Sequence, residues 1–292
     1  MHMTGVKYMN ETMISKTAAL AMESILFEVT AAPKPGLVTP YSSGAHRDMD
    51  YFTFMSSAAA LHGCFDEMLR LGAAYAGQPV AQVLPPLRVC GLRHEELMFA
   101  FTKGVNTHKG MIFSMGILCA GIGWGYGKEV ITAESACELA AQMCTGICER
   151  EFQGLEGKEN LTKGEQMYVR YGCRGARGEA ESGFETIRTV SLPVYRELRR
   201  QRLSMNDTLV QTLLHLIAGT NDTNIISRHD YETSVYAKEY AARAIACGGI
   251  LTAEGRACIE DMEQDFIRRH ISPGGSADLL AVTHFLYHLG GE

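Results

Sequence analysis

Lys34 stands between two prolines and ahead of a glycine, in Pro33-Lys-Pro-Gly36. Proline fixes φ, and glycine reaches backbone conformations closed to other residues. The stretch reads either as a stiff turn offering one cation to a phosphate or as a helix-ending turn with a solvated lysine. A few residues on, Ser42-Ser-Gly-Ala-His-Arg-Asp-Met-Asp50 is denser in chemistry. Ser43, Gly44 and Ala45 can turn backbone N–H groups toward an anion. His46 and Arg47 add donors, and the arginine fork matches phosphate oxygens. Asp48 and Asp50 are hard oxygen ligands suited to Mg2+, although either could cap a helix beginning near Met49.

Three further segments carry the same signature. Gly104-Val-Asn-Thr-His-Lys-Gly110 precedes an apolar helix whose N-terminus would favour an anion, with His108 and Lys109 beside it. Its glycine spacing is not that of a Walker loop, and Asn106 or Thr107 would serve as the helix cap. Tyr171 to Gly183 sets Arg174 and Arg177 in a glycine frame, followed by Glu179 and Glu181. Residues two apart on a helix do not share a face, so the glutamates read as having separate tasks, one in chemistry and one orienting an arginine. Asn221 to Arg228 adds Asp222 and Arg228, for which a cap and a surface arginine are the plainer reading. Together these segments describe a cationic, carboxylate-bearing pocket suited to a polyanion with a metal.

The elements that position these loops are helical by period. Ile14, Ala18, Ala21, Met22, Ile25 and Val29 form one stripe; Phe54, Ala58, Leu61, Phe65, Met68 and Leu69 form a second. Further stripes run over Met111–Ile122, Val210–Ile217 and Cys258–Phe266. The last, Leu279–Leu289, follows the turn from Ser272 to Ser276 and stops at Gly290 and Gly291. Thr162-Lys-Gly-Glu165 fits a capping box. Alternating strand patterns are scarce, and Gln82–Val89 is ambiguous between strand and helix. With no repeat and no linker in view, the economical reading is an all-α fold, a single multi-helix globular domain over residues 1–292 with its active site in the inter-helix loops.

Bulk properties exclude several classes. A net charge of -6 gives no basic field for nucleic acid, so local clusters must do any phosphate binding. No stretch reaches the ~18 apolar residues of a membrane span, and Met1–Glu11 lacks the basic start of a signal peptide. Nine cysteines without a Cys-x-x-Cys pair fit a reducing cytoplasm rather than a zinc ribbon. Cys144 and Cys148, four apart, could offer two metal ligands on one helix face but read more simply as small buried residues.

Five stretches resemble the triphosphoribosyl-dephospho-CoA synthase family. They are Pro33-Lys-Pro-Gly-Leu-Val38, Gly44-Ala-His-Arg-Asp-Met-Asp50, Gly104-Val-Asn-Thr-His-Lys-Gly110, Tyr171-Gly172 with Gly175-Ala-Arg-Gly-Glu-Ala180, and Ser272-Pro-Gly-Gly-Ser-Ala-Asp-Leu-Leu280. They fall in order and span nearly the whole chain. Thr39 and Pro40 depart from the family pattern, where an aspartate and a basic residue would follow Val38, so no contact is assigned there. The resemblance implies transfer of the 5-triphosphoribosyl group of ATP to the 2′-hydroxyl of 3′-dephospho-CoA, with release of adenine. The product would be the prosthetic-group precursor for the acyl carrier protein of citrate lyase, or alternatively of malonate decarboxylase, and a separate transferase would attach it.

Breaking an N-glycosidic bond builds oxocarbenium character at ribose C1, and the attacking hydroxyl needs a base. On that chemistry Glu179 or Glu181 is expected as the base and His46 in an acidic or electrostatic role. Lys34, Arg47, His108, Lys109, Arg174 and Arg177 are expected to hold the substrates' phosphates, and Asp48, Asp50 and Asp222 a Mg2+ ion. Two other classes fit the same loops: a phosphotransferase or nucleotide hydrolase, and a helical nucleotide-binding regulator that consumes nothing.

Overall fold

The computed structural model describes residues 10–126, 131–155 and 158–289. In chain order the helices are α1 (Glu11–Thr30), α2 (Tyr51–Ala60), α3 (Cys64–Ala74), α4 (Leu84–Phe101) and α5 (Lys109–Gly125). Then come α6 (Ala133–Cys144), α7 (Ile147–Phe152), α8 (Lys163–Tyr171), α9 (Gly175–Glu181) and α10 (Leu192–Arg200). The last five are α11 (Met205–Gly219), α12 (Thr223–Arg228), α13 (Tyr231–Ala246), α14 (Ala253–Arg269) and α15 (Gly274–Leu289). β-type pairing among the described residues is slight, as in the isolated bridge between Thr39 and Ser42. The fold is all-α, as the periodicity predicts.

The buried side chains form one continuous core. At its centre lies α5, apolar on every side and buried along nearly its whole length, as a helix without a polar face must be. It crosses α3 at backbone contact. A Cβ at Gly72 would fall 1.9 Å from the Ala120 carbonyl oxygen, and one at Gly123 would fall 2.0 Å from that of Leu69. Glycine at both positions is what lets the two backbones touch. The second largely buried helix is α15, which packs on α1 and α11.

Local signals account for most helix ends. Asn10 Oδ1 accepts from Met13 N at 2.8 Å and starts α1. The Thr162–Glu165 capping box forms as predicted, with Thr162 N donating to Glu165 Oε2 at 2.7 Å. Three expectations are refined. The stripe from Phe54 to Leu69 is two helices, because the chain turns at Leu61–Gly63 without losing the helical phase of its apolar face. Gln82–Val89 is helical: a 3-10 turn (Val80–Val83) leads into α4, with Pro85 and Pro86 in the first turn, where their missing N–H groups cost nothing. And α15 begins at Gly274, so most of the Ser272–Ser276 turn is already helix; Gly290 and Gly291 lie outside the described residues.

Candidate active site

Four of the polar segments and the start of α15 converge on one cavity of about 650 Å3. The loop from Pro33 to Asp50 forms one wall. Its turn is anchored by Gly36, whose φ is +73° and whose missing side chain admits the Ile271 carbonyl oxygen, 2.0 Å from where a Cβ would stand. Gly36 O also accepts from Ala45 N at 3.1 Å, folding the loop onto itself. Lys34 is not solvated. It is 1% exposed, and its Nζ donates to Glu28 Oε1 at 2.5 Å and to Glu28 O at 2.6 Å. Burial pulls its pKa down, while the Glu28 carboxylate acts in the opposite direction.

His46 also faces the cavity, but both ring nitrogens are engaged. Nε2 lies 2.8 Å from Ser272 Oγ, and Nδ1 lies 3.3 Å from Arg228 Nη1. Since arginine can only donate, Nδ1 accepts and Nε2–H donates to Ser272. Burial and the Arg228 charge lower the His46 pKa to about 4. The ring, expected in an acidic or electrostatic role, bridges the Pro33–Asp50 loop to Ser272 and Arg228.

Ahead of α5, Asn106 Oδ1 accepts from Lys109 N at 3.2 Å, but the N-cap position is His108 rather than Asn106 or Thr107. Lys109 lines the cavity and pairs with Glu95 at 2.8 Å. His108 is 3% exposed, and its Nδ1 is 2.7 Å from Ser57 Oγ. Burial and the nearby Lys34 charge lower its pKa to about 3.

Glu179 on α9 is the most informative carboxylate. Its Oε1 accepts from Thr186 Oγ1 at 2.5 Å, while Oε2 is buried with no partner. Burial raises its pKa above the usual carboxylate range. Arg174, at the start of the same helix, reaches the cavity. Glu181 and Arg177 do not. Glu181 lies beside Cys148 and Cys144, and Arg177 pairs with Glu151 and stacks on Phe152. Their places follow from the helical turn, which sends positions 179 and 181 to different sides.

The three aspartates expected at a metal do not gather. Asp50 is an exposed N-cap, its Oδ1 accepting from Thr53 N at 2.9 Å, and Asp48 is exposed and points toward His46. Arg47 is exposed as well, against His270. None of the three lines the cavity. Asp222 does, but its oxygens accept from the N–H groups of Asn224, Ile225, Gly275 and Ser276 and from Ser276 Oγ, at 2.8–3.4 Å. One carboxylate thus caps both α12 and α15, and all of this inward bonding leaves little lone-pair capacity for an ion.

Two carboxylates absent from the expected set also line the cavity. Asp278, one turn into α15, lines the cavity and takes no hydrogen bond or ion pair from the described residues. A Cβ at Gly110 would stand 2.1 Å from Asp278 Oδ2, so glycine there makes room for this carboxylate against α5. Its pKa is pushed well up by burial and then by the charges of Glu28 and Asp222. Glu28 is the second. Its signal in the sequence was an acid three residues past Ile25, on the apolar stripe of α1, where an unpaired charge would be costly. Elsewhere, among the described residues, the side chains placed to share a metal are Glu67, Cys90 and His94, away from the cavity.

The family model for ATP:dephospho-CoA triphosphoribosyl transferase matches residues 14–292. The chain is 42% identical over 264 residues to a 2-(5''-triphosphoribosyl)-3'-dephosphocoenzyme-A synthase of Klebsiella pneumoniae, covering 90% of this chain and 87% of that protein. It is 40% identical over 272 residues to the synthase of the same name from Escherichia fergusonii, covering 93% and 90%. A crystal structure from Archaeoglobus fulgidus, described as a candidate triphosphoribosyl-dephospho-CoA synthase, superposes with a TM-score of 0.52 at 17% identity, covering 81% of this chain and 99% of that one, which speaks to the fold. These matches make the chain a transferase by class. The chain belongs to the ATP:dephospho-CoA triphosphoribosyl transferase family.

Proposed function

We propose that the protein transfers the 5-triphosphoribosyl group of ATP to the 2′-hydroxyl of 3′-dephospho-CoA and releases adenine. The observation that carries this reading is Glu179: a carboxylate with one bound oxygen and one unpartnered oxygen, in a cavity whose loops match the family in order. Burial makes Glu179 a stronger base than a solvated carboxylate, suited to taking the hydroxyl proton as the C2′ oxygen attacks ribose C1. Thr186 fixes which oxygen is free. Glu181, facing away, supports α9 rather than the chemistry. Holding two large substrates in register contributes a further ~7 kcal/mol or more of the acceleration.

The phosphates belong with the cations that reach the cavity: Lys34, Lys109, Arg174 and Arg228. Arg47 and Arg177 drop out of that role. A Mg2+ ion fits Asp278 better than Asp48, Asp50 or Asp222. Asp278 has free oxygens and lies close enough to Glu28 for like charges to crowd, and Mg2+ commonly takes one or two carboxylates with the rest from phosphate and water. Such an ion would neutralise phosphate charge.

The nine free cysteines suit a cytoplasmic enzyme, and among the described residues no helix is long and apolar enough to cross a membrane. We assign the product to citrate lyase on overall likeness, with malonate decarboxylase as the alternative. The test is incubation with ATP, Mg2+ and dephospho-CoA followed by mass analysis. Free adenine with the coupled product is expected; ADP or AMP in its place overturns the reading. Loading each acyl carrier protein with the product through its own transferase separates the two pathways.

A further inference from the structure

His108 is 3% exposed, lines the cavity, and has an Nε2 with no partner among the described residues. A buried ring nitrogen left bare costs roughly 1–3 kcal/mol, so its persistence in a ligand cavity calls for an explanation. Behind the ring is a chain of hydroxyls. Thr107 Oγ1 donates to Ser57 Oγ at 2.7 Å, which leaves the Ser57 hydrogen for His108 Nδ1, also at 2.7 Å. With Nδ1 accepting, the proton of a neutral imidazole sits on Nε2. Phe54 holds the ring edge-on at 5.1 Å between centroids. Ser57 is fully buried and does not line the cavity.

The ring stands at the N-cap of α5, a helix of 17 residues. The Gly110 and Met111 N–H groups there find no acceptor among the described residues. Lys34 adds a positive charge close by. We propose that the Thr107–Ser57–His108 chain holds His108 as a neutral imidazole whose Nε2–H donates to a phosphate oxygen of the bound nucleotide at the start of α5. Ser57 is then a positioning residue that acts only through His108. Asp278 lies at the same helix start, where it would hold the divalent cation of a metal–nucleotide complex. The inference rests on the nucleotide-binding part of the proposed function and not on which bond is broken.

The test uses the full chain with Mg2+-tripolyphosphate, Mg2+-ATP and adenosine as probes. Long-range 1H–15N spectra of labelled histidine, assigned with His108→Gln, are expected to show His108 with its proton on Nε2. His108→Phe is expected to weaken tripolyphosphate and ATP binding by about 3- to 10-fold, the value of one neutral hydrogen bond, and to leave adenosine binding unchanged. Ser57→Ala is expected to mix the tautomers and reproduce part of that loss, and Ser57→Thr to restore both. A proton on Nδ1 in the native protein overturns the proposal. So does unchanged tripolyphosphate affinity in His108→Phe, or a loss confined to adenosine. Spectra and affinities do not depend on turnover. If they hold while adenine is not released, it is the reaction that is misassigned.

Discussion

The Lys34 ammonium lies 2.5 Å from the Glu28 carboxylate, and the two side chains are 1% and 8% exposed. A pair this deep is held by mutual neutralisation, and removing one partner strands the other. Glu28→Gln is expected to lower stability by about 3–5 kcal/mol, read from urea unfolding. The double variant Glu28→Gln with Lys34→Met should recover much of that loss while remaining inactive. Equal instability of the single and double variants would show that the pair is not the source.

Glu179 carries the base assignment. Glu179→Gln is expected to cut turnover by about 100-fold or more with ATP affinity nearly intact, measured by adenine release and calorimetry. The Thr186 hydrogen bond lowers the Glu179 pKa, so Thr186→Val should raise it further. The base must be ionised to act, so the acidic limb of the kcat/KM profile should move to higher pH in Thr186→Val. An unmoved limb argues against Glu179 as the titrating group.

The metal assignment separates cleanly between two aspartates. Asp278→Asn is expected to raise the Mg2+ concentration needed for half-maximal rate by at least tenfold. Gly110→Ala should do the same, because its methyl group would occupy the space of Asp278 Oδ2. Asp50→Ala should leave the Mg2+ requirement alone and cost about 1 kcal/mol of stability as a lost N-cap. Mg2+ titration of the initial rate, with thermal melts alongside, checks all three.

Outside the cavity, His284 is fully buried against Tyr195, with Nδ1 2.8 Å from the phenol oxygen. Burial lowers its pKa to about 3. Its folded pKa lies below the unfolded one, so the unfolded chain binds the extra proton between pH 6.5 and about 3. Stability therefore falls as pH drops through that window, by up to 1.36 kcal/mol per pH unit for this group. His284→Gln is expected to flatten the slope of unfolding free energy against pH there, whatever it does to stability at pH 7. An unchanged slope would mean that other groups set the acid limit.

Much of this was legible in the residues themselves. Helical stripes announce their own period, and glycine-rich loops dense in charge suggest one shared pocket, which is where Lys34, Lys109, Arg174 and Glu179 do converge. What the sequence pattern does not carry is direction. Arg177 and Glu181 sit in the right segment but turn away with the helix, and Asp50 has the composition of a ligand yet does the work of a cap. Glu28 and Asp278 were hidden for the opposite reason. Each sits in or beside an apolar stripe, where a lone acid is easily taken for a helix-end residue, and only the packing of α1 against α15 brings the two within reach of each other.

The close approach of Gly36 to Ile271 has a bearing on how the enzyme comes into being. The Lys34 turn takes its shape against a backbone that is synthesised almost the whole chain later, and Asp278 follows later still. Because the chain emerges from the ribosome N-terminus first, both the core and the candidate site stay incomplete until α15 is free to dock. Loss of α15 should therefore strip a buried layer from the core as well as Asp278 from the cavity, leaving protein that is both destabilised and inert.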